Sequence, residues 1–293
     1  MSAVTTILHV SFGRVKADGI SVFFREAGRR GNPVILLLHG FPASSFQFRE
    51  LILRLADKYH VIAPDLPGFG FTEVPAERDY KYTFDALAKT TEAFTDALEL
   101  KRYAIYIFDF GAPTGLRLAL SRPDAIGAIV SQNGNAYEDG FGAPWATLRK
   151  YWENETLENR EIVRRALGAE GIRHQYFTGV PDPERIAPES YTLDIALVER
   201  PGNMDIQLDL HLDYRNNVTV YPKFHEYFRT NQPPLLAIWG KNDPFFIPPG
   251  AEAFKRDLPN ATVKFLDTGH FALETHCEEI ATAMREFFAD NGI

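Results

Sequence analysis

Asp109 lies in the run Tyr103-Ala104-Ile105-Tyr106-Ile107-Phe108-Asp109-Phe110-Gly111-Ala112. An apolar strand there ends on a carboxylate, and two small residues follow almost at once. A strand-to-helix turn this tight needs small residues after its apex, because larger ones would collide with the neighbouring strand. Such an apex thrusts one side chain into a cleft and aims the next helix N-terminus at it. A carboxylate at that place can attack carbon without an activating base and form an ester. Taken alone, Asp109 reads first as a cap of the following helix. His270, in Asp267-Thr268-Gly269-His270-Phe271, follows another apolar strand. A neutral imidazole held by an acid could activate water against an ester, whereas a lone histidine in that place serves a loop or a cap. Asp243, in Trp239-Gly240-Lys241-Asn242-Asp243-Pro244, could hold the tautomer of His270 and stabilise its cation. Alone it reads as a turn residue before proline. His39-Gly40-Phe41-Pro42 follows a fourth apolar strand. Gly40 would let the backbone approach a ligand, and the N–H groups of Phe41 and Phe110 could form an oxyanion hole; the alternative is an ordinary Gly-Pro turn. Each signal is weak by itself. Their order (turn, carboxylate, acid, histidine, each just past an apolar strand) is not.

The elements that must position these residues are legible as short apolar runs: 33–38, 59–64, 103–108, 125–130, 234–239 and 263–266. Nearly continuous apolar runs mark strands buried on both faces. Helix-period segments lie between them, at 82–98 and along the last helix, where Cys277, Ile280, Ala281, Met284, Phe287 and Phe288 form one stripe. Cys277 on that stripe is expected to be buried and inert. Alternating strands and helices predict an α/β fold with a mostly parallel central sheet and helices on both faces. The regularity breaks between Gly134 and Pro233, where helices over 147–167 and 205–228 are predicted. The expected organisation is a core over 1–134, a helical cap over 135–232 inserted after strand 6, and the rest of the core over 233–293. An insertion there should sit over the C-terminal strand edge, where such sheets bind ligands.

The 293 residues carry a net charge of −8, with 45% hydrophobic and 24% charged residues. These values exclude a disordered chain or a disulfide scaffold, and the acidic balance gives no footprint for nucleic acid or an anionic membrane. No signal peptide is expected from the first residues, and no membrane span. One cysteine fits a reducing compartment, so a cytoplasmic location is expected. His276 follows His270 by six, poor metal spacing for one helix, so neither a metal nor an organic cofactor is expected. The partner implied is a small-molecule substrate; a homodimer is compatible with the sequence.

HGFP at 39–42, DLPGFGFT at 65–72, FDFGA at 108–112, WGKNDP at 239–244 and TGHFALE at 268–274 together resemble the α/β-hydrolase family over about residues 20–290. With Asp at the apex and no Gly-x-Ser-x-Gly, the resemblance is to the Asp-nucleophile branch, which includes epoxide hydrolases and haloalkane and haloacetate dehalogenases. One departure is Ile107, two residues before the apex, where many members carry a small residue. The resemblance implies that Asp109 attacks an sp3 carbon and that water activated by His270, backed by Asp243, cleaves the ester. Epoxide opening would need cap tyrosines as proton donors. Tyr214, in Asp213-Tyr214-Arg215-Asn216, and Tyr151 are the candidates, with Tyr137 and Tyr176 in reserve. His39, Trp152, Tyr137 and Tyr176 are expected at the substrate site, and Phe41, Phe110, Phe141, Trp145 and Trp152 suggest an apolar or aromatic substrate. Against a dehalogenase, Phe110 stands where haloalkane dehalogenases usually carry Trp. Haloacetate dehalogenases have Arg there and a second Arg at the place of Pro113. For one, Tyr151-Trp152 offers an indole N–H, and the DYR segment occurs in that branch too. The expected activity is epoxide hydrolysis, with a haloalkane or haloacid dehalogenase as alternative and a non-catalytic small-molecule-binding protein as second alternative. Ester or C–C bond hydrolysis normally uses Ser at the elbow.

Overall fold

The protein is described by a computed structural model over residues 9–293. The first eight residues, on which part of the signal-peptide expectation rests, lie outside the described residues. Eight strands form one sheet in the order β1-β2-β4-β3-β5-β6-β7-β8. They are β1 (Ser11–Ala17), β2 (Ile20–Ala27), β3 (Val34–Leu38), β4 (His60–Pro64), β5 (Tyr103–Phe108), β6 (Ile126–Gln132), β7 (Leu235–Gly240) and β8 (Thr262–Leu266). From β4 across to β8 all neighbours are parallel, and β2 joins β1 and β4 antiparallel. The strands β4, β5, β6 and β7 are buried along their whole length, which explains their unbroken apolar runs. The last predicted strand differs: β8 is an edge strand, largely exposed, with Phe265 facing out.

Helices cover both faces. On one, α1 (Arg49–Leu55) packs on α10 (Ala272–Asp290); on the other, α2 (Phe84–Ala97) packs on α3 (Gly111–Ser121). Arg49 grips Glu274 through two hydrogen bonds of 3.0 and 2.8 Å, tying α1 to the first turn of α10. Such paired contacts fix geometry as well as adding energy.

Between β6 and β7 the chain runs through α4 (Trp145–Glu153), α5 (Leu157–Ala166), α6 (Ala169–Phe177), α7 (Pro188–Val198) and α8 (Asn203–Asn231), and short α9 (Pro248–Ala253) follows β7. The helix predicted over 147–167 is two helices. The chain leaves helical geometry at Asn154, and Thr156 restarts it by accepting the amide of Asn159 at 3.2 Å, an N-cap. No helix among the described residues is long and apolar enough to cross a membrane.

Strand order places the chemistry. β3 lies beside β5 with Leu38 opposite Ile107. The segments that leave their C-terminal ends, His39-Gly40-Phe41 and Asp109-Phe110, therefore run side by side. β6, β7 and β8 end at the same edge and deliver Asn133, Asp243 and His270.

Candidate active site

Asp109 has φ +48°, a left-handed conformation that non-glycine residues adopt only where the surroundings hold them. It does not cap α3; Phe110 takes that position without a side-chain cap bond. The Asp109 Oδ1 instead accepts the backbone N–H of Phe41 at 2.7 Å, and the amide of Phe110 also stabilises the carboxylate. The two expected oxyanion-hole donors thus converge on one carboxylate. The Phe41–Pro42 peptide is cis. Ile107 is accommodated because Gly115 leaves room: a Cβ there would press on the Ile107 side chain and on Leu38.

Gly40 touches the same carboxylate. A Cβ at that position would collide with Asp109 Oδ1 and the Phe110 amide. Gly40→Ala should therefore displace the elbow. It is expected to cost about 1–3 kcal/mol of stability, typical of an overpacked site, read by denaturant unfolding. A stability unchanged from wild type would mean that the elbow relaxes freely.

His270 completes the arrangement. Its Nε2 lies 3.9 Å from Asp109 Oδ2 and its Nδ1 2.7 Å from Asp243 Oδ2. Asp243 is held in turn: Oδ1 accepts the amide of Phe245 at 2.7 Å and Oδ2 accepts Asn133 Nδ2 at 2.7 Å. Asn133 also accepts the Gly240 amide at 2.9 Å, and Gln132 donates to the carbonyl of His270 at 3.0 Å. Neither Asn133 nor Gln132 is picked out by sequence, since polar residues at a strand end carry no pattern of their own.

Burial penalises charge at Asp109 and pushes its carboxyl up to about 6, against the charge of His270 and the two backbone amides, which pull it down. Burial pulls the His270 imidazole down. The charge and hydrogen bond of Asp243, joined by the charge of Asp109, outweigh it and hold the imidazole above the ordinary histidine value.

A cavity of about 450 Å³ opens above Asp109 and His270. Apolar side chains from the core and the inserted helices form most of its wall, among them Phe41, Phe110, Trp145, Leu148, Val163 and Phe246.

Several expected site residues stand elsewhere. His39 has both nitrogens occupied by backbone: Nδ1 meets the Gly40 carbonyl at 3.1 Å and Nε2 accepts the Leu66 amide at 3.0 Å. It clamps the two loops together and does not line the cavity. The Tyr151 hydroxyl accepts from Arg160 at 2.9 Å. That of Tyr137 donates to Asp257 at 2.8 Å, and that of Tyr176 to Asp194 at 2.6 Å while its ring stacks on Phe271. The Trp152 indole donates to the His211 carbonyl at 2.7 Å. None of these four faces the cavity, because each packs by its ring and satisfies its polar tip inside the protein. Tyr214 is fully buried behind the wall, its ring against Phe110 and Trp145 and its hydroxyl 3.4 Å from that of Tyr221. The cavity instead receives Gln175 of α6 and His211 of α8, which no sequence pattern signalled.

A family model described as the alpha/beta hydrolase fold matches residues 33–174. The chain is 48% identical over 278 residues to an uncharacterized hydrolase of Saccharomyces cerevisiae, YNR064C, covering 94% of this chain and 95% of the relative. It is 38% identical over 282 residues to haloalkane dehalogenase 2 of Mycobacterium tuberculosis, covering 87% and 88%. It is also 26% identical over 257 residues to human epoxide hydrolase 4, covering 84% and 69%.

Proposed function

Because the chain belongs to the α/β hydrolase family, we propose that it is a hydrolase with Asp109 as nucleophile, acting on small apolar epoxides beneath a cap made by residues 135–232. One observation supports this above the others: the Asp109 carboxylate faces the cavity with one oxygen on the Phe41 amide and the other 3.9 Å from an imidazole backed by Asp243.

In the first step Asp109 Oδ2 attacks an epoxide carbon. The carbon–oxygen bond breaks, and the released oxygen takes a proton. In the second step water adds to the ester carbonyl as His270 Nε2 takes its proton. Oδ1 carries the developing charge where backbone N–H groups already point. Collapse frees the diol and restores the carboxylate. The electrostatics suit this order. The Asp109 charge adds to that of Asp243 in raising the affinity of His270 for a proton. Ester formation removes the Asp109 charge and lowers this affinity, so more of the imidazole is in the neutral form that can take the water proton in the second step, and the resulting imidazolium can give that proton to the departing alkoxide.

The sign of the pH dependence follows. Only ionised Asp109 attacks, so ester formation in a single turnover should be full well above pH 6 and fall as pH drops through about 6. In His270→Gln the limb should move to higher pH, because the cation that holds the carboxyl down is gone. A limb at the same pH in both proteins would disconnect the two groups.

Epoxide chemistry is favoured over halide release by the fate of the indoles. All three tryptophans of the chain donate to backbone carbonyls: Trp145 to Phe245 at 2.9 Å, Trp152 to His211 at 2.7 Å and Trp239 to Phe246 at 2.6 Å. No indole N–H is left to hold a halide. We keep Tyr214 as the proposed proton donor, a role that requires its hydroxyl, beside that of Tyr221 behind Phe110 and Trp145, to turn into the cavity when substrate binds. Asn135 donates to the Tyr221 hydroxyl, whose own proton can pass to the Tyr214 oxygen and leave the Tyr214 proton free. Tyr214→Phe is expected to slow epoxide opening by a factor on the order of 10²–10⁴; an unchanged rate would remove this role. The similarity to haloalkane dehalogenase 2 sustains a second reading, dehalogenation. A panel measuring diol release from epoxides against halide release from haloalkanes and haloacids tests both; halide release without diol formation would replace the first reading with the second.

A further inference from the structure

The cavity wall has two kinds of polar group. Thr147, Arg165, Glu170 and His174 are exposed at the rim. Below them, apart from Asp109 and His270, only Gln175 and His211 are polar, and they are 8% and 5% exposed.

His211 Nδ1 lies 2.7 Å from the Gln207 carbonyl one turn back on α8. A carbonyl only accepts, so the ring proton sits on Nδ1 and Nε2 presents a lone pair. Burial, against that backbone hydrogen bond, pushes the imidazole down to about 4, so the ring is neutral over the working range. The ring packs edge-on to Phe41 and tilted to Phe110, centroids 4.8 and 4.9 Å away. It therefore stands beside the two residues whose amides hold Asp109. Its Nε2 has no hydrogen-bond partner among the described residues, and neither has the Gln175 amide. Neither is sealed in the way that the Asn217 and Gln47 amides are; their free atoms open onto the cavity.

A buried polar atom without a partner costs free energy until something pairs with it. An epoxide oxygen could accept from the Gln175 amide, but an apolar epoxide has no donor for His211 Nε2. We propose that the substrate is an epoxide that carries a hydroxyl group, an epoxy alcohol, whose O–H donates to His211 Nε2 and whose oxygen functions accept from the Gln175 amide, the apolar remainder lying against Phe41, Phe110 and Trp145. The proposal rests on the epoxide reading and replaces its wholly apolar substrate by one that carries a hydroxyl.

Three substrates test it: phenylglycidol, its methyl ether, which keeps the oxygen but loses the donor, and the deoxy analogue, in which methyl replaces hydroxymethyl. Wild type is expected to prefer phenylglycidol over both by about tenfold or more in kcat/KM, because a site built around a hydroxyl rejects analogues that leave its polar groups unpaired. In His211→Phe the preference over the methyl ether should collapse toward unity, while His211→Asn, which retains an acceptor, should keep part of it. In Gln175→Leu the preference over the deoxy analogue should shrink. Equal kcat/KM for the three substrates in wild type would overturn the proposal while leaving the epoxide reading intact, as would a full preference surviving in His211→Phe. If none of the three is opened and intact mass shows no ester on Asp109, the epoxide reading fails and this proposal with it.

Discussion

In Asp109→Asn, turnover is expected to fall by on the order of 10⁴–10⁶, the range seen when a residue acting as part of a catalytic unit is removed. The substitution is nearly isosteric. The Asn side-chain oxygen can still accept the Phe41 amide that Asp109 accepts at 2.7 Å, so the elbow should keep its shape. What disappears is the negative oxygen that faces the cavity. A neutral amide is a poor nucleophile toward saturated carbon, and nothing at the site can ionise it. Intact mass after incubation with substrate should show no adduct. Residual turnover within tenfold of wild type would mean that water is activated directly and that no ester forms.

His270→Gln should separate the two steps. Glutamine cannot serve as a base, so ester cleavage should slow by a similarly large factor while Asp109 stays free to attack. The expected result is one substrate equivalent bound covalently per chain, located at Asp109 by peptide mapping. Wild type run for a single turnover in heavy-oxygen water should carry the label in the Asp109 carboxylate, because the attacking water enters at the ester carbonyl. Label confined to the diol, or the absence of an adduct in the variant, would contradict the two-step scheme. The magnitude rests on the geometry: an imidazole 3.9 Å from Asp109 and 2.7 Å from Asp243 is the sole group among the described cavity residues with both the position and the oriented partner that a base needs.

Much of the core could be read before any coordinates because its determinants are local. The strands β4 to β7 announce themselves by unbroken apolar runs, since a parallel strand covered on both faces has no solvent side to mark. The hairpin of β1 and β2 escaped because β1 is half exposed at the sheet edge, and its mixed composition resembles a loop. The helix predicted over 147–167 divides at Asn154-Glu155-Thr156, where Thr156 caps the start of a second helix, a break that the apolar periodicity does not mark.

The elbow and the order of its partners along the chain are written in local residue types. Phe108-Asp109-Phe110-Gly111 specifies a turn through its own backbone sterics, and Gly40 and Gly115 supply the room that turn needs. What the helices between β6 and β7 present to that elbow depends on how they pack. Tyr137, Tyr151 and Tyr176 turned to internal partners, and Gln175 and His211 turned to the cavity. A helix shows every side of itself to some neighbour. Which side meets the cavity is set by contacts between α4, α6 and α8 and the core beneath, groups far apart in the chain, and no local periodicity records that choice.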